Sequence, residues 1–315
     1  MFILIYYLNL LRKNLKKLIA EYHLTEKETK DLEGTFIDSS HYDQIVDFDC
    51  DVYTADNRPL LFFRKNYIPE KILFDAFNSM KSAATPSSNR GAASGGERKK
   101  RMLKDGTVSK VTETFIPGTY EKLEVNSGIA GYFDRSAHYD FCRTTAFNKN
   151  NLDKFEQAIP LIEFVDKAFE ELIPERYNKQ KGMAKATHPN FRIKDTAFTT
   201  ITINKDYRTA VHTDAGDYAQ GFGNLIAYCK DIEPALFVLP RYRIAVDLRT
   251  NDLLLADVHQ HHGNTEIIKK TKDAVRLSFV MYYRENMWKC GSPGEELKRH
   301  QLNQRRVAQE FAGIK

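Results

Sequence analysis

The sequence predicts a mainly β core with a helical buttress, on three observations. From Thr196 onward, short β-rich segments follow one another, punctuated by Gly, Pro, Asn and Asp. Their spacing of roughly 8–12 residues is that of a sandwich or barrel. Helical periodicity is concentrated upstream of them. The chain has 315 residues, 42% of them hydrophobic and 12% aromatic. That is enough to bury a substantial core, and it excludes a disordered chain.

Taken in order, residues 2–21 carry Leu4, Leu8, Leu11, Leu15, Leu18 and Ile19 at near-helical spacing, so an amphipathic helix is expected. Its apolar end precedes Arg12, Lys13, Lys16 and Lys17, the reverse of a signal peptide, and it is too short to span a bilayer. No transmembrane segment is therefore expected. Docking on the protein's own body is the ordinary reading, and a membrane-surface or partner helix the sharper one. Residues 24–45 are polar and read as a connector. Residues 1–45 thus form an N-terminal helix and connector, and 46–315 the main domain. Residues 46–66 are strand-like. A helix over 69–80 starts at Pro69 and turns Ile72, Leu73, Ala76, Phe77 and Met80 to one side.

A flexible basic loop is expected over about 82–106, where a Gly/Ser-rich stretch runs into Arg98, Lys99, Lys100 and Arg101. It reads either as a solvated hairpin or as a mobile lid contacting phosphates. Residues 150–173 are helical in pattern, and Pro160 inside them predicts a kink or two helices. The β core spans about 196–285, with strands expected at 198–203, 210–212, 223–228, 235–238, 242–247, 253–256 and 274–283. Residues 295–311 read as a charged surface helix.

A net charge of +5 permits a polyanionic partner without the dense basic stripe of a dedicated DNA-binding module. Cys50, Cys142, Cys229 and Cys290 are scattered with no CxxC pair. This argues against a zinc ribbon or a secreted disulfide scaffold, and a reducing, intracellular compartment is expected. The basic run at 97–101 reads as a nuclear address or a phosphate patch, so nucleus and cytoplasm both stay open.

Chemistry concentrates in His212-Thr-Asp214. On a strand, residues i and i+2 face the same side, so both side chains can reach one cation. A neutral imidazole and a hard carboxylate oxygen suit Fe(II) in a 2-His-1-carboxylate site. A third ligand must come from an adjacent strand, and His259, His261 and His262 are all candidates. His262 stands beside Gly263-Asn264-Thr265, where the chain must turn. Structural zinc would need four ligands, and none are spaced for that. Downstream, Arg276 and Ser278 share a strand face and can hold a carboxylate by a guanidinium contact and a hydroxyl hydrogen bond. The distal carboxylate of 2-oxoglutarate needs such a pair.

With those residues in view, the sequence resembles the Fe(II)/2-oxoglutarate-dependent dioxygenases. Within them it is similar to the TET/JBP family, in its thymine hydroxylase branch, which includes the catalytic part of base J-binding proteins and viral and phage thymidine hydroxylases. The resemblance rests on Asn204-Lys-Asp-Tyr-Arg-Thr-Ala-Val-His212-Thr-Asp-Ala-Gly-Asp217, on His262-Gly-Asn-Thr265, and on Arg276-Leu-Ser278 with Tyr282-Tyr-Arg284. Upstream, Asn89-Arg-Gly-Ala-Ala-Ser-Gly95 and Ser127-Gly-Ile-Ala-Gly-Tyr-Phe-Asp134 fit as well.

The resemblance implies a double-stranded β-helix, or jelly roll. It implies His212, Asp214 and His262 as iron ligands, Arg276 with Ser278 as the 2-oxoglutarate anchor, and supporting roles for Asn204, Arg208 and Asp217. It implies Fe(II) and 2-oxoglutarate as cofactors, O2 as cosubstrate and DNA as partner, with no obligate protein partner. Longer members carry a separate module for modified DNA that this sequence does not hold, so recognition of base J is not expected. The implied reaction hydroxylates the thymine methyl group to 5-hydroxymethyluracil. The base must be flipped or single-stranded to reach buried iron. Asn89, Arg90 and Arg98 to Arg101 are candidate substrate contacts, with Tyr132 or Phe133 stacking on the base. The same chemistry on 5-methylcytosine, a free nucleoside or a protein side chain is the first alternative. A catalytically inactive nucleic-acid-binding protein is the second.

Overall fold

The computed structural model describes residues 15–102, 106–136 and 139–311. The chain opens with β1 (Lys16–Ala20), α1 (Glu26–Asp31), β2 (Gln44–Val46), β3 (Cys50–Thr54), β4 (Pro59–Arg64), α2 (Glu70–Met80) and β5 (Pro86–Ser87). Next come β6 (Glu97–Met102), β7 (Val108–Phe115), β8 (Val125–Phe133), β9 (Arg143–Thr144), α3 (Ala146–Asn150), α4 (Leu152–Leu172) and α5 (Pro174–Ala186). The last third holds β10 (Thr200–Lys205), β11 (Gly223–Lys230), β12 (Phe237–Leu239), β13 (Ile244–Val246), β14 (Leu253–Ala256), β15 (Gly263–Asn264), β16 (Val275–Tyr282) and α6 (Pro293–Phe311).

Two sheets face each other as a jelly-roll-type core. Among the described residues, the larger runs β1-β3-β4-β14-β11-β16-β10-β8-β5, with β9 paired to β8. The smaller runs β15-β12-β13-β2. Val52, Leu61, Phe63, Leu254 and Ala256 of the larger sheet meet Val46, Phe237, Leu239, Ile244 and Val246 of the smaller one. The other face of the larger sheet is covered by α2 and α4. Leu73, Ala76, Phe77 and Met80 pack with Phe155, Ile162, Val165 and Phe169 against Ile201, Ile203, Phe279 and Met281. This is the helical buttress, and its apolar face on α2 matches the periodicity of the sequence.

Several expectations are corrected. Residues 1–14 of the expected N-terminal helix lie outside the described residues, but 16–20 form a strand. It pairs in parallel with β3, and Lys16 and Lys17 lie over the rings of Phe48 and Tyr53. The unpaired edge of β3 decides this conformation, because backbone groups without partners are costly. Residues 24–45 are no mere connector. Ile37 is fully buried against Val211, Leu236, Val238 and Ala245, and β2 pairs with β13. Pro160 does not divide the helix. α4 runs through it, with Pro160 exposed and the apolar face on either side packed. Burial of that face outweighs one lost hydrogen bond.

The expected flexible loop over 82–106 is folded across its described part. It contains β5, a short 3-10 turn at Gly91–Ser94, and β6, which pairs antiparallel with β7. Thr114 holds it down, its backbone N–H donating to Ser88 O and its hydroxyl accepting from Gly91 N–H. The cysteines are not all free either. Cys142 and Cys290 form a disulfide across 148 residues, a pairing between distant segments that no local spacing announces. Among the described residues, no helix is long and apolar enough to cross a membrane.

Candidate active site

β10 and β16 lie side by side in the centre of the larger sheet, with Asn204 opposite Ser278 and Thr202 opposite Val280. Alternate residues of β16 and its extension, Arg276, Ser278, Val280, Tyr282 and Arg284, therefore face one cavity of about 520 Å3. The loop after β10 brings His212, Thr213, Asp214 and Asp217 over its mouth. The turn before β15 brings His262.

His212 and His262 are locked together by two backbone hydrogen bonds. Each N–H donates to the other's carbonyl at 2.9 Å, and the imidazole centroids stand 4.4 Å apart. Gly263 permits this approach, since a Cβ there would lie 3.0 Å from the backbone of Ala210. Asp214 N–H donates to Val258 O, which turns its carboxylate toward both rings. His212 Nε2 lies 3.5 Å and His262 Nε2 3.9 Å from the carboxylate oxygens. The three ligand atoms lie within 4.8 Å of one another.

Each imidazole has its Nδ1 against a backbone carbonyl, Ala210 O at 2.8 Å for His212 and Gln260 O at 2.9 Å for His262. A carbonyl only accepts, so Nδ1 carries the hydrogen and Nε2 keeps its lone pair for a cation. The two rings differ electrostatically: burial opposes charge on His212, but the Asp214 carboxylate beside it raises its pKa. Burial and the neighbouring His212 push His262 down to about 4, so its ring is neutral. Burial opposes charge on Asp214, but its contact with His212 and the positive charge of the surrounding site, Arg90 included, outweigh it and hold its pKa to about 2; a cation at the two Nε2 atoms would take the place of the His212 proton in that contact. The donor set is two neutral nitrogens and one carboxylate oxygen, which fits Fe(II).

Arg276 is 5% exposed, and its Nε is buried with no hydrogen-bond partner. Burial lowers its pKa. A buried unpaired guanidinium is costly, and a bound carboxylate removes that cost. The observation fits 2-oxoglutarate. Asn204 and Ser278 line the cavity next to it.

Of the other expected site residues, Asn89, Arg90, Arg98 and Asp217 line the cavity. Arg90 Nε and the Tyr207 hydroxyl are buried without partners, and the charge of Arg90 helps lower Asp214. Asp217 is driven well above the usual carboxylate range by burial and by Asp214. Arg208 is displaced from its expected role. It lies outside the lining, donates to Ile37 O and stacks on Phe36 at 4.7 Å, because the chain has left β10 and turned it toward the N-terminal segment. Lys99 pairs with Glu97 at 2.6 Å on the hairpin, and Lys100 is exposed there; neither lines the cavity. The side chain of Arg101 lies outside the described residues.

Tyr132 and Phe133 are not cavity aromatics. Tyr132 packs on Phe191, and Phe133 lies beneath the guanidinium groups of Arg143 and Arg284. Among the rings that do line it are Tyr207, Phe237 and Tyr282, to which the sequence assigns no site role, although Tyr207 and Tyr282 lie in the segments that carry the resemblance. Tyr282 and Arg284 were reachable by extending the two-residue period from Arg276. Tyr207 and Phe237 carry no such signal. His259 is held by Asp257 at 3.1 Å, and His261 lies 4.0 Å from Glu33, which leaves His262 in the triad.

A jelly-roll core that brings two imidazoles and a carboxylate together beside a buried, unpaired guanidinium defines an Fe(II)/2-oxoglutarate oxygenase. Comparison with known proteins narrows the class. Residues 128–285 match Tet_JBP, the oxygenase domain of the 2OGFeDO superfamily. Over 183 residues the chain is 33% identical to the bifunctional helicase and thymine dioxygenase JBP2 of Leishmania major, covering 58% of this chain and 16% of that protein. Over 163 residues it is 34% identical to thymine dioxygenase JBP1 of Trypanosoma brucei brucei, covering 50% of this chain and 19% of that one. The chain thus spans less than a fifth of these curated relatives. The solved structure of NgTET1 in complex with 5mC DNA superposes with a TM-score of 0.53 over 88% of this chain and 99% of that one, at 12% identity, a likeness of fold. The chain belongs to the Tet_JBP family of oxygenase domains, whose cofactors are Fe(II) and 2-oxoglutarate.

Proposed function

We propose that this chain hydroxylates the 5-methyl group of thymine in DNA. Thymine, 2-oxoglutarate and O2 give 5-hydroxymethyluracil, succinate and CO2. The observation that carries this reading is a single cavity. It joins His212, Asp214 and His262 to Arg276, and most of it falls within residues 128–285, which match Tet_JBP; two proteins similar to this chain are named as thymine dioxygenases.

His212, Asp214 and His262 hold iron through Nε2, a carboxylate oxygen and Nε2, the tautomers being set by Ala210 and Gln260. Iron bound there, with 2-oxoglutarate, supplies O2 activation for insertion of one oxygen atom into a C–H bond. Arg276 and Ser278 bind the distal carboxylate, deep on the inner face of β16. Val280, Leu225 and Ile129 keep the walls between them apolar and exclude water from the reacting region. A thymine within duplex DNA reaches this cavity only when flipped, at a cost of a few kcal/mol. Arg98 and Asn89 at the mouth, with Lys100 on the exposed hairpin, offset part of that cost on phosphates. Arg90, Tyr207 and Asp217 face the base. We place the reaction inside a cell, in the nucleus or cytoplasm where the DNA is.

Incubation of the Fe(II)-loaded chain with 2-oxoglutarate, ascorbate and a thymine-containing oligonucleotide should release succinate. The Asp214→Ala variant should release none above background. Chelation of the metal should abolish release and added Fe(II) restore it. Equal succinate from the variant would contradict the iron assignment. Hydroxylated cytosine beside unchanged thymine would contradict the substrate.

A further inference from the structure

Ser127 lies outside the cavity lining but touches a residue within it. It is 3% exposed on β8, directly opposite Asn204 of β10, which in turn lies opposite Ser278 of β16. A polar row thus crosses three neighbouring strands of the larger sheet. Its outer two members are not equivalent. Ser278 opens on the cavity beside Arg276, whereas Ser127 is closed off behind Asn204. A buried hydroxyl needs a partner to offset its desolvation. Its partner is the Asn204 amide oxygen, at 2.5 Å.

That contact decides which way the amide faces. A hydroxyl and an amide oxygen in contact have only the hydroxyl hydrogen to share, since an amide oxygen accepts and does not donate. The Ser127 hydroxyl therefore donates to Asn204 Oδ1. With Oδ1 turned to Ser127, Nδ2 is left for the cavity side, whose wall Asn204 shares with Ser278 and Arg276. Three donors then share that wall: the guanidinium of Arg276, the hydroxyl of Ser278 and the amide NH2 of Asn204. A carboxylate accepts hydrogen bonds and donates none, so such a donor set is complementary to it. Were the amide reversed, its oxygen would face that carboxylate and repel it.

We propose that Ser127 is a positioning residue for the cosubstrate. It fixes the Asn204 side chain as a donor, so that Asn204 joins Arg276 and Ser278 in holding the distal carboxylate of 2-oxoglutarate. The proposal rests on the Arg276 end of the cavity and is independent of which base is oxidised.

The test is isothermal titration of 2-oxoglutarate into the anaerobic Fe(II)-loaded chain, without nucleic acid. Ser127→Ala should weaken binding about tenfold, the loss of one charge-assisted hydrogen bond. Asn204→Ala should weaken it at least as much. The double variant should be no weaker than Asn204→Ala, because Ser127 acts only through that amide. The probe 2-oxobutanoate keeps the keto-acid end and lacks the distal carboxylate. Its affinity should be the same in Ser127→Ala and the unaltered chain. The proposal is overturned if Ser127→Ala binds 2-oxoglutarate normally, if it weakens both probes equally, or if the two substitutions add. Each outcome is read before any DNA is present, so failure here is separable from failure of the thymine assignment.

Discussion

Gly263 and His262 show, at the scale of the residue, why part of this site is legible in a sequence. A histidine followed by glycine lets two segments approach so closely that a Cβ at Gly263 would lie 3.0 Å from the Ala210 backbone, and that approach sets the two imidazoles side by side. His212 and Asp214 are legible for a related reason, since a two-residue spacing points both to one side. Arg276 and Ser278 follow the same period. Arg208 is not legible in this way, because it belongs to a loop, where spacing says nothing about direction. Its guanidinium ends on Ile37, a residue far away in sequence. At this scale the account predicts that Arg276→Gln weakens 2-oxoglutarate binding by roughly 10- to 100-fold, the worth of a charged hydrogen bond, while Fe(II) affinity changes little. Calorimetric titration of each ligand separately checks both halves.

Elements were read well where their pattern is local and poorly where it is not. α2, β14 and β16 announce themselves through apolar period, because each buries one face or is buried on both. β6 does not. Its Glu-Arg-Lys-Lys-Arg run looks like a solvated loop, and only pairing with β7 makes it a strand. The sequence predicts α6 as a helix but carries no sign of what pins it. Glu296 accepts from Arg135 Nη2 at 2.5 Å, Cys142 N–H at 2.6 Å and Gly291 N–H at 2.8 Å. The Cys142–Cys290 bridge ties the same two segments. Closing so long a loop restricts the unfolded chain, so removing the bridge by Cys142→Ser should cost about 2–5 kcal/mol. Thermal melts with and without reductant test this. An unchanged melting temperature in the variant would mean that Glu296 alone anchors the helix.

The whole molecule is more tightly integrated than its sequence suggests. Residues 16–64 supply three strands to the larger sheet and one to the smaller, although most of them read as helix and connector. Parallel and edge pairings such as β1 with β3 and β2 with β13 join distant segments, and no local periodicity encodes them. One consequence reaches the metal. Val211 precedes His212 and packs on Ile37, while its backbone pairs with Thr35 and Gly34. Ile37→Ala should therefore cost about 2–5 kcal/mol of stability. It should also weaken Fe(II) binding, although Ile37 is no ligand. Denaturant unfolding and metal titration together read both effects.

The same integration makes the cavity one object, with iron ligands from loops, the carboxylate anchor from the central strand and a mouth edged by the hairpin segment. Its central claim concerns what enters that mouth. The most direct measurement is nucleoside mass spectrometry of DNA from cells expressing the chain or its Asp214→Ala variant. The account predicts 5-hydroxymethyluracil in the first and none above background in the second. Unmodified thymine alongside 5-hydroxymethylcytosine, or 5-hydroxymethyluracil at equal levels in both, would contradict it.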